Sequence, residues 1–458
     1  MGKSGWRWSG SVVLVALGTF APMAVMKVGE APPRAQAHVL RSVPVPVRPT
    51  LELASGDPVP LVMESTFAAW MADAKSVAVR VNSGRRRGSG TVVSEHQVLT
   101  AAHVVMDEVR AVVTLSNGDE VDARVTARDV NRDLALLTLT RSMDRCLPIA
   151  RTAPRSGDWV AAAGFVGGVE RELPATGTVG VVIDSTKFLV VRLGIAHGMS
   201  GGPVLANTGE IVGVLTRTDS ATPALASDAM FADVHCASPP SARTPAMLHV
   251  DPAHDVEARD HALLRLSSRS GRPAHVESVV TLKNGPIVLR GVAVDSEHVV
   301  TSLDEWMAQS HDCSMLRLEG HEGTACTDVV AEGELMRVRF PSAHLVALTG
   351  PIGVVASGSI VHSADARSAG VVDAVVRPGV VSPYMPPMSE HVCGTMQNWR
   401  TMQNPRVTLG SVFAHDAIAT RGELLVDAQD RPVGIVVGNH VDGRGYAVPI
   451  ESAIARFH

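Results

Sequence analysis

Three short stretches carry residue types that could cooperate in acyl transfer. The first is Gly198-Met199-Ser200-Gly201-Gly202-Pro203, a serine wedged between glycines and followed by the apolar pair Val204-Leu205. Glycines let a backbone turn sharply and approach a substrate closely, and they leave N–H groups to face a developing oxyanion. The second is Val98-Leu99-Thr100-Ala101-Ala102-His103, a strand that ends in small residues with a histidine at the corner. The third is Asn131-Arg132-Asp133-Leu134-Ala135-Leu136-Leu137, an aspartate that introduces an apolar strand. A serine hydroxyl is a poor nucleophile until a base takes its proton. A histidine can be that base, and a carboxylate can hold the histidine in the right tautomer. Taken singly, the same stretches read as a glycine-rich turn, a core histidine and a turn-capping aspartate.

The elements that must position these residues are short strands. A length of 458 residues allows two to four domains. Aromatics are only 3% of the chain, while Val-rich runs alternate with Gly, Asp, Asn and Pro, the texture of an all-β protein. A net charge of −5 gives no electrostatic reason to expect nucleic acid. Strands are expected at 76–81 and 88–93, joined by a turn at Asn82-Ser83-Gly84. Arg85, Arg86 and Arg87 follow that turn and read as a solvated loop tip. Before them, Met63–Lys75 reads as a helix with Phe67, Trp70 and Met71 on one face.

The N-terminus reads as a targeting segment. Lys3 and Arg7 precede an apolar stretch from Ser11 to Met26, and Ala35-Gln36-Ala37 offers a small-residue cleavage site. A cleaved signal and an uncleaved anchor are both open, and both put the rest of the chain outside the cytoplasm. Pro- and Ala-rich sequence follows as an extended tether. Five cysteines in an exported chain suggest disulfides with one thiol left over. Cys313 and Cys326 are close enough to staple a hairpin, Cys146 and Cys236 are a second candidate pair, and Cys393 would then be free. His311, Cys313, His321 and Cys326 also allow a metal cluster, but their spacing matches no strong zinc pattern.

In order, His103, Asp133 and Ser200 resemble the trypsin-like serine proteases of the chymotrypsin fold, and most of all their HtrA/Deg-type branch. The matching pieces are Gly88–Val93, Leu99–His103, Asp133–Leu137, Gly198–Pro203, Gly209–Val214 and Met230–Ala232. The resemblance implies a chymotrypsin-like double β-barrel with the site at the seam, His103 and Asp133 from the first barrel and Ser200 from the second. His103 would be the base, Asp133 its orienting carboxylate and Ser200 the nucleophile, with the N–H groups of Gly198 and Ser200 as the oxyanion hole. Met199 replaces the polar residue usual before the serine, which excludes activation by a newly freed N-terminus and leaves the loop without a polar anchor. Gly194, Ile195, Leu215 and Thr216 would line the primary specificity pocket by the same analogy. None is charged, so a small or medium apolar residue is expected before the scissile bond. The resemblance implies protein or peptide substrates and no cofactor or metal. Membrane contact would come only through the N-terminal segment.

The second half echoes the first in degraded form. Ser278–Leu282 echoes 76–80, Gly291–Thr301 echoes 90–100, Ala343–Leu348 echoes the strand at Asp133, and Gly422–Ile435 echoes 201–214. Gly445–Pro449 resembles a closing strand before a terminal helix. On this alignment Asp304 falls at the histidine, His344 at the aspartate, and the serine lies between Ile418 and Arg421, where Thr420 is the only hydroxyl. The expected organisation is a signal or anchor at 1–37, a tether at 38–62, an active trypsin-like domain at 63–240, a linker at 241–275 and an inactive copy at 276–458. An exported serine endopeptidase is the leading reading. A binding scaffold of two protease-like folds and a serine esterase are the alternatives.

Overall fold

The computed structural model describes residues 59–165, 175–184, 189–193, 198–217, 220–223, 258–267, 275–285, 287–303, 313–321, 323–376, 412–439 and 445–457. The expected signal or anchor lies outside them. Among the described residues no helix is long and apolar enough to cross a membrane.

Helix α1 (Val59–Val77) is longer than its apolar pattern suggested and buries Phe67, Trp70 and Met71 as that pattern requires. The chain then switches to strands: β1 (Ala78–Ser83), β2 (Arg86–Ser94) and β3 (Gln97–Ala101). The one-turn helix α2 (Ala102–Val105) follows, then β4 (Arg110–Thr114), β5 (Glu120–Asp129) and β6 (Leu134–Leu139). These six strands close into an antiparallel barrel in the order β1-β2-β3-β6-β5-β4. Its core is Val79, Val81, Val92, Leu99, Val113 and Leu137 with their neighbours. A six-stranded barrel is narrow, and β-branched and alanine side chains fill it where aromatics would not fit.

A second closed barrel takes β7 (Trp159–Gly164), β8 (Thr176–Asp184), β9 (Leu189–Arg192), β10 (Pro203–Ala206), β11 (Ile211–Arg217) and β12 (Ser220–Pro223) in the order β10-β11-β12-β9-β8-β7. The stretch expected to be a linker contains helix α3 (Ala258–Ser267), which buries Ala262, Leu263 and Leu266.

The remaining strands are β13 (Val279–Asn284), β14 (Ile287–Ala293), β15 (His298–Ser302), β16 (Arg317–Leu318), β17 (Asp328–Glu332) and β18 (Leu335–Arg339), then β19 (Ile360–Ser363), β20 (Ala369–Val376), β21 (Val412–His415), β22 (Leu424–Asp427), β23 (Pro432–Asn439) and β24 (Gly445–Pro449). Helix α4 (Ile450–Ala455) ends the chain. Strands β19 to β24 form a third closed barrel in the order β19-β20-β21-β24-β23-β22, the connectivity of β7 to β12. Strands β13 to β18 repeat the order of β1 to β6 but remain an open sheet, β16-β13-β14-β15-β18-β17. The two-residue β16 is too short to bridge to β17, so the expected duplicated double barrel is closed in three of its four parts.

Helices α1 and α3 lie in one apolar cluster with Trp159, Val179 and Val181 of the second barrel and Ile360, Ala369 and Val371 of the third. Polar groups fix that junction. Asp416, fully buried, takes the Arg259 guanidinium at 2.6 Å, the Thr178 hydroxyl at 2.7 Å and the Val371 N–H at 2.7 Å. Burial disfavours its charged form, but Arg259 and the donated hydrogen bonds outweigh this and hold its pKa below the ordinary carboxylate value. Glu64 of α1 accepts the Ile360 N–H at 2.9 Å, and Lys75 pairs with Asp373. Cys313 and Cys326 are joined in a disulfide, which commits both sulfurs of the metal alternative. Cys146 is also disulfide-bonded.

Candidate active site

The histidine and the aspartate meet because two elements end together. Strand β3 pairs with β6, placing Ala101 opposite Leu134, and the Ala102 N–H donates to the Asp133 carbonyl at 3.0 Å. Asp133 itself is left-handed, with φ of +58°, a conformation that aspartate tolerates better than bulkier residues. Its carboxylate then reaches back to α2. Oδ1 accepts the His103 backbone N–H at 2.9 Å, and Oδ2 lies 2.8 Å from His103 Nδ1. An ionised carboxylate only accepts, so this contact assigns the proton to Nδ1 and leaves Nε2 as the acceptor. The imidazole is 44% exposed and the carboxylate 16%, so the ring presents an edge to solvent while its orienter is screened.

The serine loop is shaped by two left-handed glycines, Gly198 at φ +95° and Gly201 at φ +94°. A side chain at Gly201 would place Cβ 1.9 Å from the Ser89 carbonyl oxygen, so only glycine fits. The loop is bonded to both barrels. The Gly201 N–H donates to Leu215 O at 2.6 Å and the Gly202 N–H to Met199 O at 2.9 Å, while Ser200 O accepts the Ser89 N–H at 2.7 Å. By contrast, the N–H groups of Gly198 and Ser200 donate to no backbone carbonyl among the described residues. Ser200 also lies close to the helix that carries His103. A Cβ on Gly88 would touch both Ser200 O, at 3.0 Å, and the Val104 side chain, at 2.5 Å.

Met199 is 1% exposed and packs with Val160, Val182, Val191 and Leu215 in the core of the second barrel. The missing polar anchor is therefore replaced by an apolar one. Leu215 belongs to the same core, Thr216 is buried on the same strand, and Gly194 and Ile195 lie outside the described residues. The sequence reading missed Ser89. Its hydroxyl donates to Gly198 O at 2.8 Å and accepts the Phe165 N–H at 2.8 Å, riveting the serine loop to the first barrel. The alternation Gly88-Ser89-Gly90 was its signal, since small residues there admit a close backbone.

In the second half, strand register corrects one expected equivalence and loop bonding narrows another. Ser302 lies opposite Leu335 as Ala101 lies opposite Leu134, and the Leu303 N–H donates to Glu334 O at 2.8 Å. Glu334, not His344, thus takes the place of Asp133, and its buried carboxylate is paired with Arg456 at 2.7 Å. The loop before β22 repeats the serine loop bond for bond. Gly422 N–H donates to Val436 O at 2.6 Å, and Arg421 O accepts the Arg290 N–H at 2.8 Å. Arg421, at the end of the expected window from Ile418, therefore stands at the serine position, and the hydroxyl of Thr420 lies one residue before it. Its Nε donates to the Ser302 hydroxyl at 3.1 Å and its Nη2 to Leu303 O. Asp304 follows Leu303, outside the described residues.

Paired six-stranded barrels, with an oriented histidine on one and a glycine-turned serine on the other, define the class of trypsin-like peptidase folds. Residues 88–214 match the trypsin-like peptidase domain family, so this segment is trypsin-like in sequence as well as in strand order. A probable periplasmic serine endoprotease, DegP-like, from Chlamydia trachomatis is 33% identical over 142 residues, 28% of this chain and 28% of that protein. The mitochondrial serine protease HTRA2 of Bos taurus is 31% identical over 228 residues, 45% of this chain and 48% of that protein. Among solved structures, the serine endoprotease from Yersinia pestis is similar at 26% identity with a TM-score of 0.30, over 35% of this chain and 62% of that one. The chain spans between 28% and 48% of the length of these two curated relatives.

Proposed function

We propose that the first half of the chain is an exported serine endopeptidase and that the second half is a non-catalytic copy. The observation that carries the reading is the double grip of the Asp133 carboxylate on His103, through the backbone N–H and through Nδ1. In this reading His103 Nε2 takes the Ser200 hydroxyl proton as Oγ attacks the scissile carbonyl carbon. The resulting oxyanion faces the N–H groups of Gly198 and Ser200, worth roughly 3–4 kcal/mol per donor in comparable sites. His103 then returns the proton to the amine as the C–N bond breaks, leaving an acyl-enzyme on Ser200. Water deprotonated by the same imidazole releases the acid product.

Gly194, Ile195 and Thr216 are uncharged, and Leu215 packs in the barrel core behind them, which favours cleavage after small or medium apolar residues. Export is supported by the basic flank and apolar stretch near the N-terminus, and by the periplasmic description of the Chlamydia trachomatis relative. Arg421 at the serine position and the Glu334–Arg456 pair at the aspartate position support an inactive second copy.

Labelling with a fluorophosphonate tests the reading. The full chain should label and the Ser200→Ala variant should not. Absent labelling would leave a binding scaffold, and hydrolysis of small esters without peptide cleavage would leave an esterase. A peptide library cleaved mainly after Arg or Lys would overturn the pocket assignment.

A further inference from the structure

Strand β2 runs along the serine loop, and the row of side chains it turns toward that loop ends in an exposed cation. Side chains alternate faces along a strand, so residues 87, 89 and 91 share one face. Thr91 Oγ1 donates to Gly201 O at 2.9 Å, and Ser89 Oγ donates to Gly198 O at 2.8 Å. Arg87 is the next member of that row, one two-residue step or about 7 Å further along. On the opposite face, Arg86 Nη1 donates to the His103 carbonyl at 3.1 Å. Arg85 forms the turn between β1 and β2. All three arginines are exposed, and among the described residues none is within ion-pair distance of a carboxylate. A carboxylate does approach the turn: Glu108 Oε1 would lie 2.9 Å from a Cβ on Gly84.

Arg86 therefore sits beside the residue that would activate the nucleophile, Arg87 continues the row of side chains that meets the serine loop, and Arg85 adjoins them at the turn. An exposed basic triplet elsewhere on the surface would be a solvated tip. Here the strand geometry places Arg87 about two extended residues from Ser89, within reach of a peptide chain lying across the loop. We propose that Arg85, Arg86 and Arg87 form a subsite for acidic side chains, so that the site takes peptides with Asp or Glu within about two residues of the scissile bond. This inference rests on the peptidase reading above. An acidic peptide fits better than a nucleic acid because the basic patch is confined to one turn of a chain whose net charge is −5.

The test is binding, which does not require turnover. Two fluorescent peptides, identical except that a Glu pair replaces a Gln pair beside an apolar residue, are titrated into full-length Ser200→Ala protein and followed by anisotropy. The acidic peptide should bind about five- to tenfold more tightly at low salt, and the gap should close at high salt. Arg85→Gln with Arg87→Gln should abolish the preference, and Arg85→Glu with Arg87→Glu should reverse it toward a Lys-bearing peptide. Arg86 is left in place because it also holds the His103 carbonyl. Unchanged melting temperatures would show that the variants fold. Equal affinities for the two peptides, a preference that survives charge reversal, no binding of either peptide, or equally tight binding of a short DNA would each overturn the proposal. Fluorophosphonate labelling of the unmutated chain separates this inference from the one beneath it. Acidic preference without labelling removes the peptidase reading and leaves these arginines a binding site for acidic peptides without a scissile bond, whereas labelling without preference removes only the acidic subsite.

Discussion

Arg421 holds in the second half of the chain the backbone position that Ser200 holds in the first. The Ser200 carbonyl accepts the Ser89 N–H at 2.7 Å and the Arg421 carbonyl accepts the Arg290 N–H at 2.8 Å, each followed by a left-handed glycine. The second half has the same loop, with an arginine at the serine position that ties it to Ser302 and Leu303. Intact-protein mass spectrometry should therefore find one fluorophosphonate adduct per chain and none in Ser200→Ala. Adding Arg421→Ser to Ser200→Ala should not restore labelling, because the Glu334 carboxylate is committed to Arg456.

Asp133→Asn should leave peptide binding nearly intact and lower kcat by about 10³–10⁴. The amide cannot accept from Nδ1–H with both geometry and charge preserved, so His103 loses its tautomer. Steady-state kinetics would check this through a fall in kcat without a comparable change in KM.

Gly201→Ala should cost about 3 kcal/mol or more, or abolish folding of the second barrel. The added Cβ would sit 1.9 Å from Ser89 O and 2.4 Å from Thr100 Oγ1, both already hydrogen-bonded to each other. Thermal melting and fluorophosphonate labelling should fall together. A stable Gly201→Ala protein that still labels would mean the loop does not need this approach to β2.

The Asp416–Arg259 pair predicts acid sensitivity of the junction. The folded state holds Asp416 at a lower pKa than the unfolded chain does. Its stabilisation is therefore complete above the unfolded value and lost as pH falls through the lower folded value. Asp416→Asn should cost about 3 kcal/mol at neutral pH by leaving Arg259 buried without its main counter-charge. Urea unfolding from neutral pH downward should show the wild type losing this advantage only in strong acid.

Glu64 predicts the opposite sign. Burial raises its pKa, the Asp427 charge adds to this, and the Ile360 N–H only partly offsets it. The folded state therefore holds the proton more readily, and stability from Glu64 declines as pH rises from the unfolded value through the folded one. Glu64→Gln keeps an acceptor for Ile360 and removes the charge. Its melting temperature should exceed that of the wild type at neutral pH and converge with it in acid.

Local signals were legible wherever a residue's neighbours in sequence are also its neighbours in space. Phe67, Trp70 and Met71 share a helical face by spacing alone, and Gly198–Pro203 shows a tight loop because only glycine tolerates its backbone. Gly291 and Thr301 pair in the second half as Gly90 and Thr100 do in the first, as their sequence echo suggested. The failures came from register and from long-range contact. His344 looked like the heir of Asp133 because Ala343–Leu348 is apolar, yet β18 is the paired strand and brings Glu334 into place. The segment 258–267 looked like linker because its low hydrophobicity hides three buried residues and an arginine whose partner, Asp416, lies in another barrel.

By itself, the sequence determined the all-β texture, the order His103, Asp133, Ser200 and the glycines that bend the serine loop. These follow from residue type and short spacing. Only the tertiary structure decided that Asp133 grips His103 twice, that Met199 anchors the loop through the barrel core, and that Arg421 stands at the second serine position. Each of those depends on which strands pair and in what register. A shift of one residue in strand pairing turns every side chain to the opposite face, and composition carries no record of it.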